Sequence, residues 1–221
     1  MSNIKKFSPN PDFSANAHIS SLEKYQELYK ESIENPAGFG GKVAERLHWT
    51  RKWETVVEYD FVKADIKWFE GGKLNVSYNC LDRHVEAGHG NKTALIWEGN
   101  DPKESKTFTY SELLTDVQKF ANAMKDNGIK KGDRICIYLQ MIPELPVAML
   151  ACARIGAVHS IVFGAFSSGS LKDRINDSSC KMLITQDTGV RGTKTNIPMK
   201  TNADIAAAEC PSIEKIVVVR R

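Results

Sequence analysis

Several things are missing from this sequence, and each absence closes off a class of protein. No stretch approaches the roughly 18 consecutive apolar residues of a membrane-spanning helix, and the opening MSNIKKFSPNPDFSANAH lacks the apolar core of a signal peptide. The expected setting is therefore the cytoplasm, away from membranes. Lysine and arginine are scattered and the net charge is only +3, so neither a nucleic-acid surface nor a polybasic lipid patch is expected. Cysteine is scarce and odd in number: Cys80, Cys136, Cys152, Cys180 and Cys210 are far apart and form no CxxC pair. They read as reduced core residues rather than disulfides or metal ligands. His84 and His89 stand five apart, which does not put two imidazoles on one helical face, so no metal site is expected.

The most informative stretch is Arg134 to Phe166, which reads as strand, helix, strand with almost no slack. Arg134–Leu139 is short and rich in β-branched and aromatic residues after the Gly128 and Gly132 punctuation, as in a buried parallel strand. Pro143 suits a first helical turn, Val147, Leu150, Ala151 and Ile155 recur at helical spacing, and Gly156 is a stop signal. Val158–Phe163 is the second strand, so the stretch is a βαβ unit with a right-handed crossover expected.

Upstream, residues 1–16 carry no expected element, and Ile19–Ile33 spaces Leu22, Tyr25, Tyr29 and Ile33 along one helical face behind Ser20 or Ser21 as cap. That face is expected to dock. Gly38, Gly40 and Gly41 read as a break before a second helical stretch, Lys42–Leu47. Trp49, Trp53 and Trp68 are expected to serve packing rather than an aromatic ligand cage. Residues 1–90 thus form a mostly helical and aromatic N-terminal layer, ahead of an α/β region at 91–221. There Thr93–Glu98 and Lys106–Thr109 predict a β-hairpin, and Thr109–Glu112 has capping-box spacing before a helix ending near Gly128. Beyond the βαβ unit come a helix capped by Ser167 or Ser170, a strand at Lys181–Thr185, a helix at Ala203–Ala208 and a strand at Lys215–Val219. This alternation predicts part of a doubly wound, largely parallel α/β sheet with ligands at its C-terminal edge.

Two loops leave that edge. Phe163-Gly164-Ala165 follows one strand, and Asp187–Lys194 follows another. In the second loop the glycines would let backbone N–H groups face an anion, while Arg191 offers a planar fork and Lys194 a mobile charge. The bland alternative is a solvated βα loop. The order Gly192-Thr193-Lys194-Thr195 lacks the contiguous Gly-Lys-Thr of a Walker A loop.

The strings LNVSYNCLDRHV, ALIWEGNDP, GDRICIYLQMIPELPVAMLACARIGAVHSIVFGAFS and ITQDTGVRGTK resemble the N-terminal third of the acetyl-coenzyme A synthetase family, the AMP-forming acetate:CoA ligases. The resemblance runs from about residue 17 onward; propionyl-coenzyme A synthetase shares much of it. It implies an adenylate-forming fold and a two-step reaction. Acetate attacks the α-phosphate of Mg-ATP to give acetyl-adenylate, and the CoA thiol then displaces AMP. It further implies that Phe163, Gly164 and Ala165, with Arg191, Gly192, Thr193 and Lys194, lie near the nucleotide end of CoA, Arg191 and Lys194 facing its 3′-phosphate. Acetate, ATP, CoA and Mg²⁺ are the implied small molecules. No catalytic residue is implied within these 221 residues: the phosphate-holding loop, the ribose-binding Asp and the adenylation Lys of the family lie further downstream. The isolated chain is expected to be inactive in adenylation, leaving open a non-catalytic role in binding CoA or a nucleotide or in docking on a partner. The family pattern has Gly at Ala165 and Thr193 and Trp at Gly40; if Ala165 or Thr193 needed φ > 0, the change would cost roughly 1 kcal/mol.

Overall fold

Residues 7–221 are described by a computed structural model, and they fall into one unit ending at Lys73 and another running from Leu74 to Arg221. In the first unit a short helix α1, Pro11–Asn16, forms where no element was expected, because the Asn10 side chain accepts from the N–H groups of Asp12 and Phe13. Residues 1–6 of that stretch lie outside the described residues. Helix α2, Leu22–Glu34, starts at Ser21, whose hydroxyl accepts from Lys24 N. Leu22, Tyr25, Tyr29 and Ile33 on its apolar stripe, the face expected to dock, are about half exposed or more.

The glycine run does not break the chain. It lies inside α3, Pro36–Ala44, and the helix expected at Lys42–Leu47 ends at Ala44. Pro36 at the helix start and the Asn35 cap on Gly38 N offset the cost of the glycines. Gly40 also has Trp68 against it, 3.1 Å from where a Cβ would stand. An antiparallel pair that periodicity did not suggest, β1 (Thr55–Asp60) and β2 (Asp65–Glu70), follows. Trp49, Trp53 and Phe69 form a mutual aromatic cluster with centroids 4.9–5.3 Å apart, which is the packing role expected of the tryptophans.

The second unit opens with two π-helical turns, Tyr78–Asp82 and Val85–His89. The hairpin is present as β3 (Thr93–Glu98) and β4 (Ser105–Thr109). Helix α4, Tyr110–Asp126, begins with the full capping box: Glu112 N–H donates to Thr109 Oγ1, and the Glu112 carboxylate accepts from Thr109 N–H. Then come β5 (Arg134–Leu139), α5 (Glu144–Ile155) and β6 (Val158–Phe163), with Gly156 left-handed at φ 74°. Helix α6 is Ser168–Ser178, capped by Ser167. Strand β7 is Met182–Gln186. It leads into a second antiparallel pair, β8 (Gly189–Arg191) and β9 (Lys194–Ile197). Helix α7 (Met199–Ala207) and β10 (Lys215–Val219) complete the described chain.

Strands β10, β7, β5 and β6, in that order, form one parallel sheet. Strand β5 is buried from Ile135 to Leu139, and its side chains alternate between two cores. Ile135, Ile137 and Leu139 pack with residues of α4 and α5, whereas Cys136 and Tyr138 pack with residues of α6 and α7. The sheet is therefore wound on both faces, as the alternation of elements required. Four of the cysteines are buried, but Cys80, on the first π-helical turn, is exposed and is not a core residue.

Candidate active site

The chain leaves β5 toward β6 on one side, while β7 lies on the other side and leads on to β10. This reversal puts the crevice of the sheet beyond the C-termini of β5 and β7, at Gln140 and Gln186. A cavity of about 370 Å³ opens there. Three segments line it: Leu139–Ile142 after β5, Phe163-Gly164-Ala165 after β6, and Val190-Arg191 in β8. Residues Trp97–Asn100, at the end of β3 and the start of its turn, and Arg221 complete the wall. Two guanidinium groups and one carboxylate, that of Glu98, thus face the same space.

Each wall has a local cause. Tyr138 donates its hydroxyl proton to Phe166 O at 2.8 Å, which ties the turn after β6 to the neighbouring strand. Gly164 stands in a tight place: a Cβ would lie 3.1 Å from Gln140 Cγ and 3.3 Å from the Leu139 carbonyl oxygen. Phe163 is 63% exposed, and its ring forms a T-shaped pair with Phe166 at 5.9 Å. Trp97 donates its indole N–H to Met141 O at 2.7 Å, holding the β3–β4 hairpin over the end of β5. Asp187, after β7, accepts from Thr188 N and Arg221 N, and these bonds hold its carboxyl below the usual carboxylate range.

Of the seven residues expected at the site, Phe163, Gly164, Ala165 and Arg191 line the cavity together. Gly192, Thr193 and Lys194 are not among the lining residues; they form the tip and return of the β8–β9 hairpin, with Arg191 in register with Lys194. The stretch from Asp187 is thus an antiparallel hairpin rather than an open loop. Its tip turns at Gly192, φ 57°, whose N–H donates to Asn100 Oδ1 at 3.2 Å. The Gly192 N–H is therefore engaged rather than free to face an anion. Ala165 and Thr193 do not adopt positive φ, and the backbone penalty considered for both positions does not arise. Gln140, Asn100, Trp97 and Arg221 were not legible as site residues, since an amide or indole in a turn carries no periodic signal and their partners lie far away in sequence.

Among the described residues there is no cluster of three or more His, Cys, Asp or Glu able to hold a metal ion. No helix there is long and apolar enough to cross a membrane. His159, on β6, is partly buried and its imidazole is pushed down by desolvation.

Comparison with known proteins bears directly on this geometry. A family model described as AMP-binding enzyme matches residues 81–221, which includes the whole parallel sheet and the cavity. The chain belongs to the AMP-binding enzyme family. A second model, acetyl-coenzyme A synthetase N-terminus, matches residues 25–80 of this family member. It is 53% identical over 221 residues to the acetyl-coenzyme A synthetase of Magnetococcus marinus, covering all of this chain and 34% of that protein. The acetyl-coenzyme A synthetase of Rubrobacter xylanophilus is 52% identical over 218 residues, covering 99% of this chain and 33% of the relative. Acetyl-coenzyme A synthetase 2 of Pseudomonas putida is 50% identical, again over 34% of its length. This AMP-binding family member therefore spans about a third of the length of the curated relatives it matches.

Proposed function

We propose that this chain is the N-terminal portion of an AMP-forming acetate:CoA ligase. The full reaction converts ATP, acetate and CoA to acetyl-CoA, AMP and diphosphate through acetyl-adenylate, with Mg²⁺ accompanying ATP, in the cytoplasm. Within that reaction the part assigned to this chain is to hold the nucleotide end of CoA. One observation carries the assignment: Phe163-Gly164-Ala165 and Arg191, remote in sequence, converge on one cavity at the sheet's C-terminal edge. The Arg191 fork suits the 3′-phosphate, Lys194 adds charge from the facing hairpin strand, and the Phe163 ring offers a surface for the base.

Calorimetric titration of CoA against dephospho-CoA tests this. CoA is expected to bind roughly tenfold more tightly, since a charge-assisted hydrogen bond contributes about 1.5–3 kcal/mol. Arg191→Ala should abolish the preference, and rising salt should weaken CoA alone. Equal affinity for the two ligands, or none for either, removes the assignment. Adenylation is a separate matter: the 221-residue chain is expected to show no acetate-dependent ATP–pyrophosphate exchange, and measurable exchange would overturn that part of the proposal.

A further inference from the structure

The residues of β8 use their polar edges in opposite directions. Gly189 and Arg191 are in register with Ile197 and Lys194 on β9. Val190 and the following Gly192 are taken instead by side-chain amides. Gln140 Oε1 accepts from Val190 N at 2.8 Å, and Gln140 Nε2 donates to Val190 O at 3.2 Å. Asn100 Oδ1 accepts from Gly192 N at 3.2 Å, and Asn100 Nδ2 donates to Gly192 O at 2.8 Å. Each amide supplies a donor and an acceptor, as a neighbouring strand would, although the two residues are 50 and 92 positions away. Arg191 lies between the two gripped residues.

Gln140 is itself held. Its backbone N–H donates to Oε1 of the fully buried Gln186 at 2.8 Å, and Gln186 Nε2 donates to Thr188 O at 2.8 Å. The grip on Val190 is therefore continuous with the interior of the sheet, whereas the grip on Gly192 comes from the exposed Asn100.

We infer that Asn100 and Gln140 are positioning residues for Arg191: their paired amides replace a missing strand and fix the guanidinium at the cavity against Phe163-Gly164-Ala165. The inference rests on the reading of this cavity as the site for the nucleotide end of CoA. Hairpin strands held on one edge only are soft. An arginine on such a strand would lose part of its orientation before binding, and preorganisation is what makes a charged fork selective.

The test uses the full chain, amide hydrogen exchange at Val190 and Gly192, and titration with 3′,5′-ADP and 5′-AMP. Asn100→Ala removes an exposed side chain and leaves the core untouched; Gln140→Met is its counterpart on the buried side. Exchange at Gly192 should quicken roughly tenfold in Asn100→Ala, and exchange at Val190 likewise in Gln140→Met, the loss of one or two net hydrogen bonds. The preference for 3′,5′-ADP over 5′-AMP should fall about three- to tenfold in each variant. In an Arg191→Ala background neither substitution should change it further, because positioning acts through Arg191, whereas general loosening would persist. Unchanged exchange overturns the clamp and leaves the CoA reading intact if wild type still prefers 3′,5′-ADP. Faster exchange with unchanged ligand preference overturns the positioning role. Faster exchange in a protein whose wild type does not bind 3′,5′-ADP upholds the clamp and removes the CoA reading.

Discussion

Arg154, in the last turn of α5, grips Asp82 with both arms of its guanidinium, Nη1 to Oδ2 at 2.8 Å and Nη2 to Oδ1 at 3.0 Å. The two side chains are 28% and 13% exposed, so water screens the pair only partly. Asn75 reinforces the same helix end by donating to the carbonyl oxygens of Ala153 and Arg154. Two residues of the segment LNVSYNCLDRHV, Asn75 and Asp82, thus hold the last turn of the βαβ helix. Asp82→Ala should destabilise the chain by about 2 kcal/mol, since it strands a half-buried cation, and Arg154→Lys by about 1 kcal/mol, since it loses the bidentate geometry. Urea denaturation midpoints indistinguishable from wild type would show that the pair contributes nothing.

Gly164 sits where the turn after β6 passes the end of β5. A methyl there meets the Leu139 carbonyl oxygen, which cannot yield without disturbing the central strand. Gly164→Ala is expected to lower stability by about 1 kcal/mol through overpacking and to weaken ligand binding at the cavity. A variant as stable as wild type would mean that Gln140 and Met199 make way for it.

The Thr109 cap links stability to pH. Thr109→Ala should cost about 1 kcal/mol by loss of the cap. Its partner Glu112 is held below the usual carboxylate range, first by the backbone N–H of Thr109 and then by the Thr109 hydroxyl. A depressed folded-state value stabilises the fold above the unfolded-state value, and that contribution disappears as pH falls through the folded one. Wild type should therefore melt above Glu112→Gln at neutral pH, with the two curves converging in acid. A gap that stayed constant down to about pH 3 would contradict the capping-box role.

Thiol labelling separates the cysteines. Cys80 is exposed, while Cys136, Cys152 and Cys180 are fully buried and Cys210 nearly so. Burial also pushes the Cys152 thiol up to about 12. Native protein should react with Ellman's reagent quickly at about one site, and at all five only once unfolded. Loss of that single fast reaction in Cys80→Ser would confirm its origin; rapid reaction at several sites in the native protein would contradict the packing of α6 and α7.

How far the sequence could be read depended on what each segment is for. Strands β5 and β6 were legible to the residue and α5 to within one position, Pro143 being its cap rather than part of its first turn, because a strand buried on both faces must be apolar throughout and a short helix must announce its ends. Helix α3 was not, since three glycines outvote a proline and a capping asparagine in any local count. The β8–β9 hairpin was hidden for another reason. Its outer edge is satisfied by Asn100 and Gln140 rather than by a strand, so nothing in Gly189–Ile197 needs to alternate. The cavity inherited both situations: its Phe163-Gly164-Ala165 wall followed from the βαβ unit, while the amides that hold Arg191 had no local signature.

The placement of β5 inside the sheet, with β6 and β7 on its two edges and β10 beyond β7, also lets these four strands be added in chain order. As the chain is made, β5 comes first of the four, and every later strand finds a partner already present at an open edge. No strand has to be inserted between two others. Growth from the interior outward adds each strand at a free edge, and each parallel pairing waits only for the crossover that precedes it.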